Sequence, residues 1–314
     1  MISRRSLAGA AAAVMGVGRA RAGELPMLRV GDQKGGAEAL MKAAAALNDL
    51  PYRLKWNQFA AAAPLLEALN ADAVDLAFAG DAPVTFALAA GLPARIIAAT
   101  RTSGAGTAIM VPDRSPIQGP LDLKGGTVGV NRGSIGHALV LAVAEAQGWR
   151  PSDITVANLL PVEAKTAVSI GAVDAWSSWG VYVAQARLID SYRIVIDGSE
   201  GRLTGLSYAV ATDTAIAAKR PALLDFSRRV AGARRWADGH RDAYAAVLAA
   251  DIGVSQSVAR LLVETETPLP VPIDAGVIAD QQRTADRYTA AGIVRTRLDA
   301  ARLFDPSFNA ALAG

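Results

Sequence analysis

The sequence predicts an α/β protein built as two doubly wound lobes in succession. Short β-rich runs alternate with alanine-rich helical ones, the series restarts after Pro112-Asp113-Arg114-Ser115-Pro116, and three strands run through a glycine turn into a helix. Such βαβαβ alternation implies a mainly parallel sheet. About 290 residues beyond the N-terminal leader also exceed the usual size of a single core, so two lobes are expected.

In the first series Leu28 to Val30, Leu54 to Trp56, Leu76 to Ala79 and Arg95 to Ala98 read as strands. Helical stretches from Ala37 to Leu50, Pro64 to Asn70 and Pro83 to Ala90 separate them. The second series starts at Thr127 to Val130, after the segment Thr107 to Val111. It continues with a helix from Ile135 to Gln147, a strand at Ile154 to Ala157, a helix near Val162 to Ile170, a strand at Ala175 to Ser177, a helix from Val181 to Ile189 and a strand at Arg193 to Ile196. The chain then crosses back near Leu203 to Ala209 and ends as packing helices, with Pro268, Pro270 and Pro272 marking an extended connector. Residues 23–112 and 207–314 are assigned to lobe I and residues 113–206 to lobe II.

The N-terminus reads as an export leader. Ser3-Arg4-Arg5-Ser6-Leu7 precedes an uncharged run from Ala8 to Val17, shorter than the about 20 apolar residues that span a bilayer. The run leads to Ala20-Arg21-Ala22, an A-x-A cleavage site before Gly23, and the paired arginines are those of a twin-arginine signal. The leader holds four arginines and no acid, so its removal leaves 28 basic against 29 acidic residues and turns a net charge of +3 into −1. The basic balance therefore gives no support to a nucleic-acid partner or an anionic membrane surface. The chain has no cysteine and two histidines, which excludes a disulfide framework, a thiol nucleophile and a thiolate metal site, and argues against zinc. Neither a metal nor another cofactor is expected.

The three strand–turn–helix junctions are Val30 to Gly36, Phe78 to Ala82 and Val130 to Ser134. A helix N-terminus leaves amides unpaired and carries partial positive charge, so three converging on one point could hold a small anion.

Several segments in this order and at this spacing resemble the periplasmic aliphatic-sulfonate-binding proteins of the nitrate/sulfonate/taurine group of ABC-transporter receptors. They are Arg29-Val30-Gly31-Asp32-Gln33-Lys34-Gly35, Pro64-Leu65-Leu66-Glu67-Ala68-Leu69-Asn70, Val74-Asp75-Leu76 with Gly80-Asp81, Leu123-Lys124-Gly125, Arg132-Gly133-Ser134 and Val173-Asp174-Ala175-Trp176. The resemblance implies a type II periplasmic binding protein fold, with two lobes joined by a two-crossover hinge that closes on a ligand in the cleft. It implies a receptor rather than an enzyme, a small organic anion such as a sulfonate as ligand, a permease and its ATPase as partners, and contact with the inner membrane only through that permease. Taurine, nitrate or an aromatic carboxylate on the same scaffold, and a carbon–sulfur bond hydrolase, are the alternatives.

On this reading Gln33 can donate its amide into the cleft, and Gly35 lets backbone approach the ligand. At Gly80-Asp81-Ala82 the Asp81 carboxylate is explained as a helix cap and would repel an anion, so contact is assigned to the amides near Asp81 and Ala82. Gly133 and Ser134 present a cap hydroxyl and amides from the other lobe, and Arg101 is a bidentate donor if it faces inward. Ser134 with His137 lacks a G-x-S-x-G elbow and a third member, so the pair does not read as a nucleophile and base. Trp176 and Trp179 would wall an apolar tail. The family commonly shows Trp-Asp-Pro-Tyr where this chain has Trp179-Gly180-Val181-Tyr182, which removes one candidate acid for a ligand amine.

Overall fold

The computed structural model describes residues 25–312, and the expected export leader lies outside them. Among the described residues, eleven strands and ten α-helices follow in chain order. The first part gives β1 (Met27–Gln33), α1 (Ala37–Ala43), β2 (Arg53–Phe59), α2 (Ala62–Asn70), β3 (Leu76–Gly80), α3 (Asp81–Ala89) and β4 (Ala94–Arg101). The middle gives β5 (Thr107–Pro112), β6 (Thr127–Val130), α4 (Ile135–Ala146), β7 (Thr155–Asn158), α5 (Pro161–Ser169), β8 (Ala175–Trp179), α6 (Val181–Leu188) and β9 (Tyr192–Asp197). The chain returns through β10 (Leu206–Thr212) and ends with α7 (Asp213–Gly239), α8 (Arg241–Ile252), α9 (Gln256–Glu266), β11 (Leu269–Val271) and α10 (Ala275–Ala290).

Two sheets result, one in the order β11-β4-β10-β3-β1-β2 and one in the order β7-β6-β8-β5-β9. The expected boundary at residues 112 and 113 falls one strand late, because β5 pairs with β8 and β9 in the second sheet. The sheets are mainly parallel, with a minority of strands running the other way. β1 is parallel to β2 and β3, and β6 to β7 and β8, but β10 is antiparallel to β3 and β4, and β5 to both of its neighbours. The reason is the double crossing: β5 carries the chain into the second sheet and β10 carries it back, and each runs against the strands between which it is inserted.

The proline-rich connector forms β11, an edge strand antiparallel to β4. Pro270 is tolerated there because an edge strand has one side free of ladder hydrogen bonds. Helix α1 stops at Ala43, before the expected Leu50, where a positive-φ residue, Ala45, follows. Helix α7 kinks at Lys219 (φ −130°, ψ 21°), two residues before Pro221, which lacks an amide donor. That kink lets Lys219 Nζ reach buried Asp75 at 2.7 Å, beside Arg29 at 2.6 Å, and so ties the returning chain to β1 and β3. Burial alone would raise the Asp75 carboxyl, but its bonds to Arg29 and Lys219 hold it below the usual range.

Helix α10 spans both halves. Gln281 Nε2 donates to Thr85 Oγ1 at 2.6 Å and Thr284 Oγ1 to Asp81 Oδ2 at 2.8 Å on the α3 side. On the α4 side Tyr288 Oη donates to the Ser134 carbonyl at 3.1 Å, and Arg287 Nε reaches Glu145 at 2.6 Å. Among the described residues, no single helix is long and apolar enough to cross a membrane, and no cluster of three metal-ligating side chains occurs.

Candidate ligand site between the sheets

A cavity of about 780 Å³ takes walls from both halves of the molecule. The turns after β1, β3 and β6 all reach it, through Gln33, Gly35 and Gly36, Gly80, and Gly133 and Ser134. All three strand–turn–helix junctions border this one cavity. Their amides are not equally free, however.

At the first turn Asp32 is buried and accepts the Glu38 amide at 2.8 Å, with further backbone bonds from Gln33 and Ala37. Its own carboxylate thus occupies the start of α1, a helix of only 7 residues. Burial pushes the Asp32 carboxyl up to about 6 despite these donors. At the second turn Asp81 accepts its neighbour's amide, from Ala82, at 2.7 Å. The same carboxylate accepts hydroxyls from Thr204 at 2.6 Å and Thr284 at 2.8 Å. Asp81 and Ala82 are buried beneath the cavity wall, so the amide assigned to a ligand is already used; burial raises the Asp81 carboxyl.

The third turn keeps a donor. Ser134 Oγ accepts the His137 amide at 3.2 Å, which leaves its hydroxyl proton available. His137 Nδ1 accepts the Gly133 amide at 3.1 Å, so that nitrogen is unprotonated. Burial and the nearby Arg132 charge lower the imidazole to about 4. Serine and imidazole therefore each bond a backbone amide, and neither is arranged to activate the other.

Two further expected site residues lie elsewhere. Arg101 turns to the Thr204 carbonyl at 2.8 Å and to Asp280 at 2.5 Å, away from the cavity. Trp176 is 1% exposed and packs among Met110, Val168, Val183 and Tyr192 in the core of the second half. Strand alternation explains the difference, since Trp176 and Trp179 are three residues apart on β8 and so face opposite sides of the sheet. Trp179 lines the cavity and meets Tyr182 edge-on, with ring centroids 6.2 Å apart. Trp176 touches the same Tyr182 from behind, at 6.4 Å. The aromatic wall is thus Trp179 with Tyr182.

Sequence reasoning missed the two most informative side chains. On α7 Ser227, Val230, Ala231 and Arg234 form a stripe at helical spacing along the cavity. Arg234 Nε is buried without a hydrogen-bond partner, as is Ser227 Oγ. Burial lowers the Arg234 guanidinium, and the charges that act on it are Tyr244 and Asp32. In the sequence it sits among Arg228, Arg229 and Arg235, between Asp225 and Asp238, and composition alone does not set it apart. The periodicity Ser227, Arg234 set against Val230 is the signal that could have separated it. The second is Glu266, at the end of α9, whose Oε1 accepts the Gly180 amide at 3.1 Å. A carboxylate therefore does stand beside Gly180, supplied by another helix.

A family model described as NMT1/THI5 like matches residues 56–226, more than half of the chain. The chain belongs to the NMT1/THI5-like family. A protein of Escherichia coli strain K12 named for the binding of aliphatic sulfonates is 32% identical over 279 residues, covering 87% of this NMT1/THI5-like chain and 86% of that protein. The alkanesulfonate-binding protein SsuA from Xanthomonas axonopodis pv. citri, bound to MOPS, matches with a TM-score of 0.84 at 30% identity, over 90% of this chain and 99% of that one. A Candida albicans protein described as having the generic periplasmic binding protein fold is 16% identical with a TM-score of 0.72, over 88% of this chain and 93% of that one. The two-sheet, double-crossover architecture is that of a type II periplasmic binding protein.

Proposed function

We propose that this protein is a periplasmic receptor that captures an organic sulfonate in the cavity between its sheets and delivers it to an ABC permease and its ATPase. The observation that carries the reading is Arg234, a cation in the cavity with a buried Nε and no partner for it. An anion at this point satisfies that donor, and the Ser134 hydroxyl lines the same space, as does the Gln33 amide, whose Nε2 also donates to the Phe78 carbonyl at 3.4 Å. The likeness to relatives named for sulfonate binding supports the choice of anion.

Chemistry favours a sulfonate over other oxyanions. It stays ionised across ordinary pH and offers only acceptors, whereas a monoprotonated phosphate ester brings a hydroxyl donor to a site of donors. One unpaired buried polar group costs about 1–3 kcal/mol. Nitrate would leave the Trp179–Tyr182 wall with nothing apolar to bury. Contacts from α7 in one half and Ser134 and Trp179 in the other supply the differential binding that drives hinge closure.

A hydrolase reading finds little in the site. The chain has no cysteine, and Ser134 and His137 each bond a backbone amide. Thermal shift of the mature protein with alkyl and aryl sulfonates, nitrate and sulfate tests the receptor reading, with sulfite release followed in parallel. Stabilisation by organic sulfonates without sulfite supports it; sulfite production overturns it.

A further inference from the structure

The backbone amides of the third turn are all engaged within the protein. The Arg132 amide donates to Asn158 Oδ1 at 2.9 Å, the Gly133 amide to His137 Nδ1 at 3.1 Å and the Ser134 amide to the Asn131 carbonyl at 3.1 Å. Gly133 has φ +79°, in the region that favours glycine. The buried donor that remains on this turn is the Ser134 hydroxyl, whose oxygen accepts the His137 amide and whose proton is uncommitted. Its aim depends on how the Ser134 peptide is held.

That peptide is held from outside its own lobe. The Ser134 carbonyl accepts the Ala138 amide at 3.1 Å, as a helix start requires, and on its second lone pair the Tyr288 hydroxyl of α10, also at 3.1 Å. Tyr288 is fully buried, and its ring meets the His137 imidazole edge-on with centroids 5.9 Å apart. Burial raises the phenol, which therefore stays a donor. One helical turn earlier, on the same face of α10, Thr284 donates to Asp81 of the second turn at 2.8 Å. The two turns also abut directly: a Cβ on Gly133 would stand 3.4 Å from the Phe86 ring of α3, and one on Gly80 would stand 3.7 Å from Ile135 of α4. A phenylalanine at position 288 would fill the same core space, so the hydroxyl is explained by the carbonyl it meets and not by packing.

We propose that Tyr288 is a positioning residue of the anion site, whose hydroxyl fixes the Ser134 peptide and so aims the Ser134 hydroxyl at the bound sulfonate. The assignment rests on the sulfonate reading and deepens it. Two donors on one carbonyl hold the peptide plane before the ligand arrives, so the Ser134 donor need not be ordered on binding. Because Thr284 anchors the same face of α10 to Asp81, the setting of the third turn is referred to the second. If Tyr288 strengthens ligand binding in this way, the ligand acts back on the Tyr288 bond by the same free energy.

The test is calorimetric titration of ligand-stripped mature protein with octanesulfonate, side by side in the unaltered protein, Tyr288→Phe, Ser134→Ala and the double variant. Tyr288→Phe should raise Kd about fivefold and Ser134→Ala at least about tenfold. The double variant should bind no more than about twofold more weakly than Ser134→Ala, because the donor that Tyr288 aims is already gone. Losses that multiply in the double variant overturn the inference, as does an unchanged Kd in either single variant, and each leaves the sulfonate reading standing. Should Tyr288→Phe not fold, 3-fluorotyrosine at position 288 keeps the hydroxyl and carries the test. Its fluorine resonance should move on saturation with octanesulfonate and stay in place when Ser134 is alanine; the same shift in both proteins, or none in either, overturns the inference. Absence of octanesulfonate binding to the unaltered protein overturns the sulfonate reading itself, and the inference with it.

Discussion

Replacing Asp81 by alanine distinguishes a structural carboxylate from a ligand contact. In the structure Asp81 ties three segments together: its own helix start through the Ala82 amide at 2.7 Å, the returning crossover through Thr204 at 2.6 Å, and α10 through Thr284 at 2.8 Å. Hydrogen bonds to a charged acceptor contribute about 1.5–3 kcal/mol each, and truncation leaves two hydroxyls unsatisfied. Part of that loss is offset because the carboxylate is itself costly to bury, which is why burial raises its pKa. The net destabilisation should be about 2–4 kcal/mol, a fall in Tm of roughly 3–7 °C for a chain of this size. Asp81→Asn, whose amide oxygen can still accept from the threonines, should recover about half of it. Differential scanning calorimetry measures the stability and titration with octanesulfonate the affinity. An unchanged Tm with affinity lost by about a hundredfold would refute the reasoning, for the carboxylate would then act at the ligand.

Trp176→Ala should cost about 3–5 kcal/mol of stability, as for a large core side chain, with no dependence of sulfonate affinity on chain length. Trp179→Ala should instead weaken octanesulfonate more than ethanesulfonate, and equal losses would remove Trp179 from the tail wall. His137 should contribute a pH-dependent stability term. Its folded-state pKa of about 4 lies below the ordinary 6.5, so stability is full above 6.5 and is lost as pH falls from 6.5 towards 4. The total is roughly 3 kcal/mol. Asp32 and Glu266, raised by burial, act with the opposite sign, so the measurement is the difference between the denaturation profiles of the unaltered protein and His137→Asn. A difference that stays flat between pH 4 and 6.5 would contradict the bond from the Gly133 amide.

The alternation of elements was legible because each strand and helix announces itself locally: Thr127–Val130 and the span from Ile135 match the structure nearly residue for residue. Strand direction was not, because nothing in the composition of Thr107–Pro112 or Leu206–Thr212 tells which sheet a strand joins or against what it runs. That follows from non-local pairing. The same division holds at the site. The glycine turns that reach the cavity were visible as motifs, whereas Arg234 and Glu266 enter it from helices far later in the chain. Their role depends on which helix face α7 and α9 turn inward. Asp81 was legible as a residue that serves its own helix start, whereas the bond from the Glu38 amide to Asp32 depends on how the first turn folds back over that carboxylate. Trp176 and Trp179 looked equivalent until the strand phase separated them.

The measurement closest to the central claim is calorimetric titration of ligand-stripped mature protein with octanesulfonate, sulfate and nitrate, repeated in Arg234→Met. The account predicts one site for octanesulfonate with a nanomolar to micromolar Kd, roughly −12 to −8 kcal/mol, weak sulfate and nitrate, and a loss of at least about a hundredfold on removing the guanidinium. Sulfate or nitrate binding as tightly as octanesulfonate, or an Arg234→Met variant that binds octanesulfonate unchanged, would contradict it.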